Sequence, residues 1–180
     1  DEGVKAQSWD IIKEGVLVDY QLNRQMAKTR NVRSNGCAYA DSFSHIPIQR
    51  MPNVSLKASD KNISTEDLIA DVKDGIYVLG DKSWSIDMQR FNFQFTGQRF
   101  YKIKNGKLAG QLKDVAYQGN TIEFWNNLAG VGGKSTYILG GAFNCGKGQP
   151  GQVAPVSHGC PSALFRSITI LNTEQEAGNA

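Results

Sequence analysis

The sequence predicts an α+β fold made mainly of antiparallel β-sheet, with a few short helices. Three observations predict it. Asn105-Gly106 stands between two short apolar runs, the strongest short-range signal of a hairpin. Phe91, Phe93 and Phe95 alternate with Asn92 and Gln94, the period of a strand with one aromatic face. Only the segment 64–74 carries both a helical stripe and a complete capping signal, so strands outnumber helices and most connections read as hairpins.

In chain order, residues 9–13 and 16–20 flank Glu14-Gly15 and predict a hairpin. Leu22 and Met26, four apart, predict a short helix over 22–29. Residues 31–36 are polar, end in Asn-Gly and read as a loop. Residues 39–57 hold Pro47 and Pro52 and no clean period, so extended irregular backbone is expected. Over 64–74, Ser64 caps, Asp67 completes an S-x-x-D box, Leu68, Ile69 and Val72 form the apolar stripe, and Gly75 is the stop. Residues 76–79, 100–104 and 107–109 follow as strands. Residues 121–128 predict a short helix broken by the glycines of 130–133. Residues 137–139, 153–157 and 164–171 are the last strand candidates, and 173–180 are polar and small, a flexible tail. Neither a repeat nor a linker divides the chain, so one domain is expected over 1–172.

Composition narrows the functional classes. The 180 residues are 40% hydrophobic and 21% charged, values of a globular chain and not of a disordered one. A net charge of +3, from 20 basic and 17 acidic residues, is too balanced to imply a direct nucleic-acid partner. No apolar run spans a bilayer as a helix, no signal peptide opens the text, and Asp1 at its start reads as a fragment of a longer chain. Cys37, Cys145 and Cys160 are few and odd in number, which suggests reduced thiols in a reducing compartment.

The richest chemistry lies around Cys145. Gly140, Gly141, Gly146, Gly148 and Gly151 suggest a glycine-rich loop, and Lys147 favours a thiolate two residues away. Such a thiolate is a metal ligand or a nucleophile; a small buried hydrophobe is the bland alternative. Cys145, His158 and Cys160 form a C-x12-H-x-C pattern with no zinc-knuckle spacing. His45 or His158 could serve Cys145 or Cys37 as a base, although no local cysteine-hydrolase signature is present. The run 130–135 lacks the spacing of a phosphate loop. In 45–53, Pro47 and Pro52 stiffen a stretch that carries His45, Arg50 and Asn53, either toward a cleft or as a solvated surface loop.

Taken together, these segments resemble the C-terminal part of the TldD/PmbA family, metallopeptidases also described as modulators of DNA gyrase. The resemblance runs through Asp1-Glu2-Gly3, residues 9–18, Arg50-Met51-Pro52-Asn53 with His45 and Pro47 before it, Gly75-Ile76-Tyr77, Phe93, the 103–107 hairpin and Cys145-Gly146-Lys147-Gly148-Gln149. It implies a TldD-type subunit in which Cys145 is a ligand to one zinc ion, a cysteine that the PmbA (TldE)-type partner lacks. The family's two histidine ligands and its glutamate base lie on an upstream H-E-x-x-x-H, which these 180 residues do not contain. No catalytic residue is therefore expected here, and the chain alone is expected to be inactive. The resemblance further implies a substrate groove that includes Arg50, Asn53, His45, Gly146 and Lys147, an unstructured peptide as substrate, and a cytoplasmic homodimer or heterodimer with a PmbA/TldE-type subunit. His158 and Cys160 are structural by default. A non-catalytic PmbA/TldE-type pairing subunit and an unrelated peptide-binding β module are the alternatives.

Overall fold

The computed structural model describes residues 1–177. In chain order they form β1 (Ile12–Lys13), β2 (Val16–Leu17), α1 (Arg24–Thr29), β3 (Ala38–Tyr39), β4 (Ile48–Gln49), α2 (Thr65–Ala70), β5 (Asp74–Ile86), β6 (Asn92–Lys104), β7 (Lys107–Leu112), β8 (Val115–Asn120), α3 (Thr121–Asn126), β9 (Leu128–Val131), β10 (Ile138–Lys147), β11 (Gln152–Cys160), β12 (Ala163–Phe165), β13 (Thr169–Asn172) and α4 (Thr173–Ala177). Strand exceeds helix, 45% against 14%, and the named strands pair antiparallel, as the sequence predicts.

The chain forms two compact units: Asp1–Lys57 with Ile138–Cys160, and Ala58–Tyr137 with Pro161–Ala180. Each has its own buried side chains, which is why each is compact. No composition shift marks the crossings, so the sequence reads as one domain.

The first unit starts with the expected hairpin. Ile12 faces Leu17 and Lys13 faces Val16, while Glu14 (φ 51°) and Gly15 (φ 78°) take the left-handed conformations of a two-residue turn. Asn23 caps α1 by accepting from the Met26 amide at 2.8 Å. The loop after it is fixed by buried Asn35, whose side chain bonds the Leu22 amide at 2.8 Å and the Tyr20 carbonyl. Leu22, Ala27, Cys37, Ala38, Ala154 and Val156 are its buried apolar residues. In the extended stretch, two-residue strands β3 and β4 pair through Ala38↔Gln49 and Tyr39↔Ile48.

The glycine-rich loop expected around Cys145 is strand up to Lys147 and a turn only beyond it, where Gly148 and Gly151 lie. Gly140 to Lys147 lie in β10, which pairs with β11 from Ile138↔Cys160 to Lys147↔Gln152. Glycine is required for contact here and not for a loop. A Cβ on Gly141 would lie 2.2 Å from the Val156 carbonyl oxygen.

The second unit is built on β6, a single strand where the sequence suggests two. β5 pairs along one of its edges; β8 and then β7 share the other, and β13 pairs outside β8. The expected Asn105-Gly106 hairpin is present, with φ of 49° and 74°. Phe93 and Phe95 stack at 4.9 Å and continue through Tyr117 and Phe124 to Phe165, 4.0 Å from Phe124.

Three boundaries differ. The capping box of α2 is complete, but the helix ends at Ala70. Val72 and Lys73 instead give their carbonyls to Gly106 and Asn105 at 2.8 and 2.7 Å, which starts β5 before Gly75. Of the glycines expected to break a helix, Gly130 belongs to β9 and Gly133 bridges Ser59; a Cβ on Gly133 would lie 2.5 Å from the Lys61 carbonyl oxygen. The run 164–171 divides at Ser167 (φ 55°) because β12 pairs with β9 and β13 with β8. The expected tail begins as α4, and residues 178–180 lie outside the described residues. Among the described residues, no helix is long and apolar enough to cross a membrane.

Candidate functional site

Every candidate side chain belongs to the first unit. Along β11, Gln152, Ala154 and Val156 are buried while Val153 and Pro155 are exposed, so the even positions face inward. Cys145 opposes Ala154 and Lys147 opposes Gln152, so both lie on the face of those buried residues, with Lys147 at its exposed end. Gly146, opposite Val153, is on the other face. The register shifts between Ala142 and Cys145, so Cys145 is the first residue after a bulge. It is half-buried.

Arg50 reaches this strand from the segment after β4. It is 1% exposed, its guanidinium lies 4.9 Å from the Tyr39 ring centroid, and Nη2 donates to the Cys145 carbonyl. Nη1 is buried without an acceptor among the described residues. Burial raises the Tyr39 hydroxyl above its usual pKa, the nearby Arg50 charge opposes that, and Cys145 adds to the rise. Lys147 sends Nζ the opposite way, to the Gln49 carbonyl and, at 2.6 Å, to Gln49 Oε1. Burial lowers the Lys147 ammonium pKa, and the charge of Arg50 lowers it further.

Asn53 and His45 take other positions. Asn53 Oδ1 accepts from the Ser157 amide at 2.9 Å, the first of several bonds that lay residues 53–56 along β11. Next come His158 Nδ1 with the Val54 carbonyl at 2.9 Å and the Gly159 amide with Ser55 Oγ at 2.8 Å. His45 is exposed and bonds Asp41 Oδ1 at 2.7 Å, while Asp41 Oδ2 accepts from the Val153 amide at 2.8 Å. An open cleft of about 470 Å³ next to His45 is lined by Asp1, Asp41, Ser42, Phe43 and Pro47, without Cys145.

The C-x12-H-x-C pattern does not converge. Cys145, His158 and Cys160 pair with Ala154, Gly140 and Ile138, so they are strung out along the hairpin. The four residue steps from Ala154 to His158 span about 13 Å. No group of three or more His, Cys, Asp or Glu side chains able to hold a metal occurs among the described residues. The described donor set does not by itself make a whole metal centre.

Sequence reasoning missed Gln49, Tyr39, Asp41 and Gln152. Gln49 meets Lys147 across 98 residues and Asp41 meets Val153 across 112, and no local period encodes such contacts.

Residues 1–172 match the model of the PmbA/TldA metallopeptidase C-terminal domain. The chain belongs to this family. A Methanothermobacter thermautotrophicus protein named metalloprotease is 34% identical over 172 residues, 96% of this chain and 36% of its own length. A Haemophilus influenzae protein named metalloprotease TldD homolog is 33% identical, over 96% of this chain and 35% of its own. A Saccharolobus solfataricus relative, 25% identical over 94% of this chain and 37% of its own, is named zinc metalloprotease TldD homolog. The crystal structure of TldE from Thermococcus kodakarensis shares the fold, with TM-score 0.69 at 19% identity over 93% of this chain and 34% of that one. The PmbA/TldA-type domain described here therefore spans about a third of the length of its curated relatives.

Proposed function

We infer that this chain is the C-terminal domain of a zinc-dependent metallopeptidase subunit that cleaves unstructured peptides, and that Cys145 is its single ligand to one zinc ion. The observation that carries the reading is the place of Cys145. It is a half-buried thiol on the inward face of β10, its backbone held by a buried guanidinium, in a chain of the PmbA/TldA family.

Bound zinc supplies a water of lowered pKa and polarises the scissile carbonyl. The chain's own part is to present the sulfur, exclude water around it and hold the substrate. Among the described strands β10 pairs only with β11, so its other edge can take an extended peptide by main-chain bonding, which reads no side chain. Gly146 suits a close approach, because nothing lies within 4 Å of where its Cβ would be. Arg50 and Lys147 brace β10 beside this groove, and Asn53 and His45, tied to β11 through Ser157 and through Asp41 and Val153, support the hairpin from its other side. The remaining metal ligands and the general base come from the rest of the parent protein. The parent works in the cytoplasm as a homodimer or with a PmbA/TldE-type subunit.

The test uses the intact parent protein. Cys145→Ala and Cys145→Ser should lose zinc and peptidase activity while the fold is kept, and Cys37→Ala and Cys160→Ala should keep the metal. Stoichiometric zinc with full activity in the Cys145→Ala protein overturns the reading.

A further inference from the structure

Two charged side chains cross between the strand of Cys145 and the segment of Arg50, and each ends on the other's backbone. Arg50 donates to the Cys145 carbonyl, and Lys147 donates to the Gln49 carbonyl and side chain. The four residues close a ring: backbone 49–50, the Arg50 side chain, backbone 145–147, the Lys147 side chain. Both bonds carry an ionised donor and are roughly twice as strong as neutral ones. They fall directly after the bulge, since pairing with β11 is interrupted between Ala142 and Cys145 and resumes at Cys145↔Ala154. The guanidinium end of the ring is itself rigid. Arg50 is 1% exposed and lies over Tyr39, whose hydroxyl donates to the Met51 carbonyl at 2.9 Å.

We propose that Arg50 and Lys147 are positioning residues, a reciprocal clamp that fixes the bulged backbone at Cys145 so that its sulfur meets zinc in one orientation. The clamp rests on the ligand reading of Cys145. A ligand whose backbone is fixed before the metal arrives loses little freedom on binding, and a loosely held one loses affinity. Neither side chain touches metal or peptide in this role, so the clamp acts on metal geometry and not on substrate affinity.

The experiment uses the intact parent protein in its zinc and cobalt(II) forms, with Lys147→Met, Arg50→Met, Arg50→Lys and Cys145→Ser variants. Readouts are zinc affinity by chelator competition, the cobalt–thiolate charge-transfer band, and KM for a peptide. Lys147→Met and Arg50→Met should each weaken zinc binding by about 10- to 100-fold, the range seen when supporting groups around metal ligands are removed, and should shift or broaden the band. Arg50→Lys should recover part of both. If Arg50→Met fails to fold, Lys147→Met decides, because Lys147 is exposed and outside the core. A Cys145→Ser protein that keeps its zinc shows that the ligand reading is wrong, and the clamp falls with it. Loss of zinc in Cys145→Ser, with unchanged affinity and band in Lys147→Met, overturns the clamp alone. A raised KM with an unchanged band in the clamp variants overturns it in favour of direct peptide contact.

Discussion

Asp41 holds two parts of the first unit through one carboxylate. Oδ1 bonds His45 and Oδ2 accepts from the Val153 amide, whose residue is the ladder partner of Gly146. The bond to His45 lowers its pKa most, and the Val153 amide lowers it further. A carboxylate whose folded pKa is depressed contributes stability that is full above the unfolded value of about 3.9 and is lost as pH falls through the folded value. Protection of the Val153 amide, the slowing of its exchange relative to the intrinsic rate, should therefore be held at neutral pH and fall only below about pH 4; protection that does not change with acid would show that the tether is not the carboxylate. Asn53→Ala removes the acceptor of the Ser157 amide and should destabilise the protein by about 0.5–1.5 kcal/mol, read from a denaturation midpoint. Part of this residue scale was legible in advance. Cys145, Arg50 and Asn53 stand out by type and by company, with glycines around the first and prolines around the others. Their partners do not, because Asp41, Gln49 and Gln152 are ordinary polar residues until distant backbone is brought beside them.

At the scale of elements, the structures that close within a few residues are the ones the sequence announces. The Asn105-Gly106 and Glu14-Gly15 turns and the Ser64–Asp67 box each need only neighbours. Ser64→Ala should cost about 1 kcal/mol, seen as a lower midpoint of thermal or denaturant unfolding. Glycine misleads where it serves packing. Glycine in a strand is entropically unfavourable, so a run of five near Cys145 argues for a loop, yet Gly141 is in β10 because the Val156 carbonyl leaves no room for a side chain. Gly141→Ala should thus destabilise the β10–β11 hairpin by about 1–3 kcal/mol or more. Gly146→Ala, with open space at its Cβ, should leave the unfolding midpoint nearly unchanged. Equal destabilisation by both would mean that backbone freedom and not contact explains these glycines.

For the whole molecule, fold class was readable because β alternation and hairpin turns recur along the chain, whereas the division into two units was not. Both units are assembled from segments far apart in sequence, and only contacts reveal that. If Cys145 is the one metal ligand this chain supplies, as proposed, the isolated chain should release no detectable product from an unstructured peptide with added zinc; metal-dependent cleavage by it would overturn the assignment. The interleaving of the units also sets an order of events during synthesis. Residues 1–57 leave the ribosome well before 138–160, and the intervening 58–137 belong to a unit that itself waits for 161 onward. Neither unit can finish on a growing chain until nearly all of this stretch has been made, and long-range closure of this kind is slow. During that interval unpaired strand edges are exposed, so stalled or prematurely terminated chains are the ones a cell's chaperones and proteases would meet.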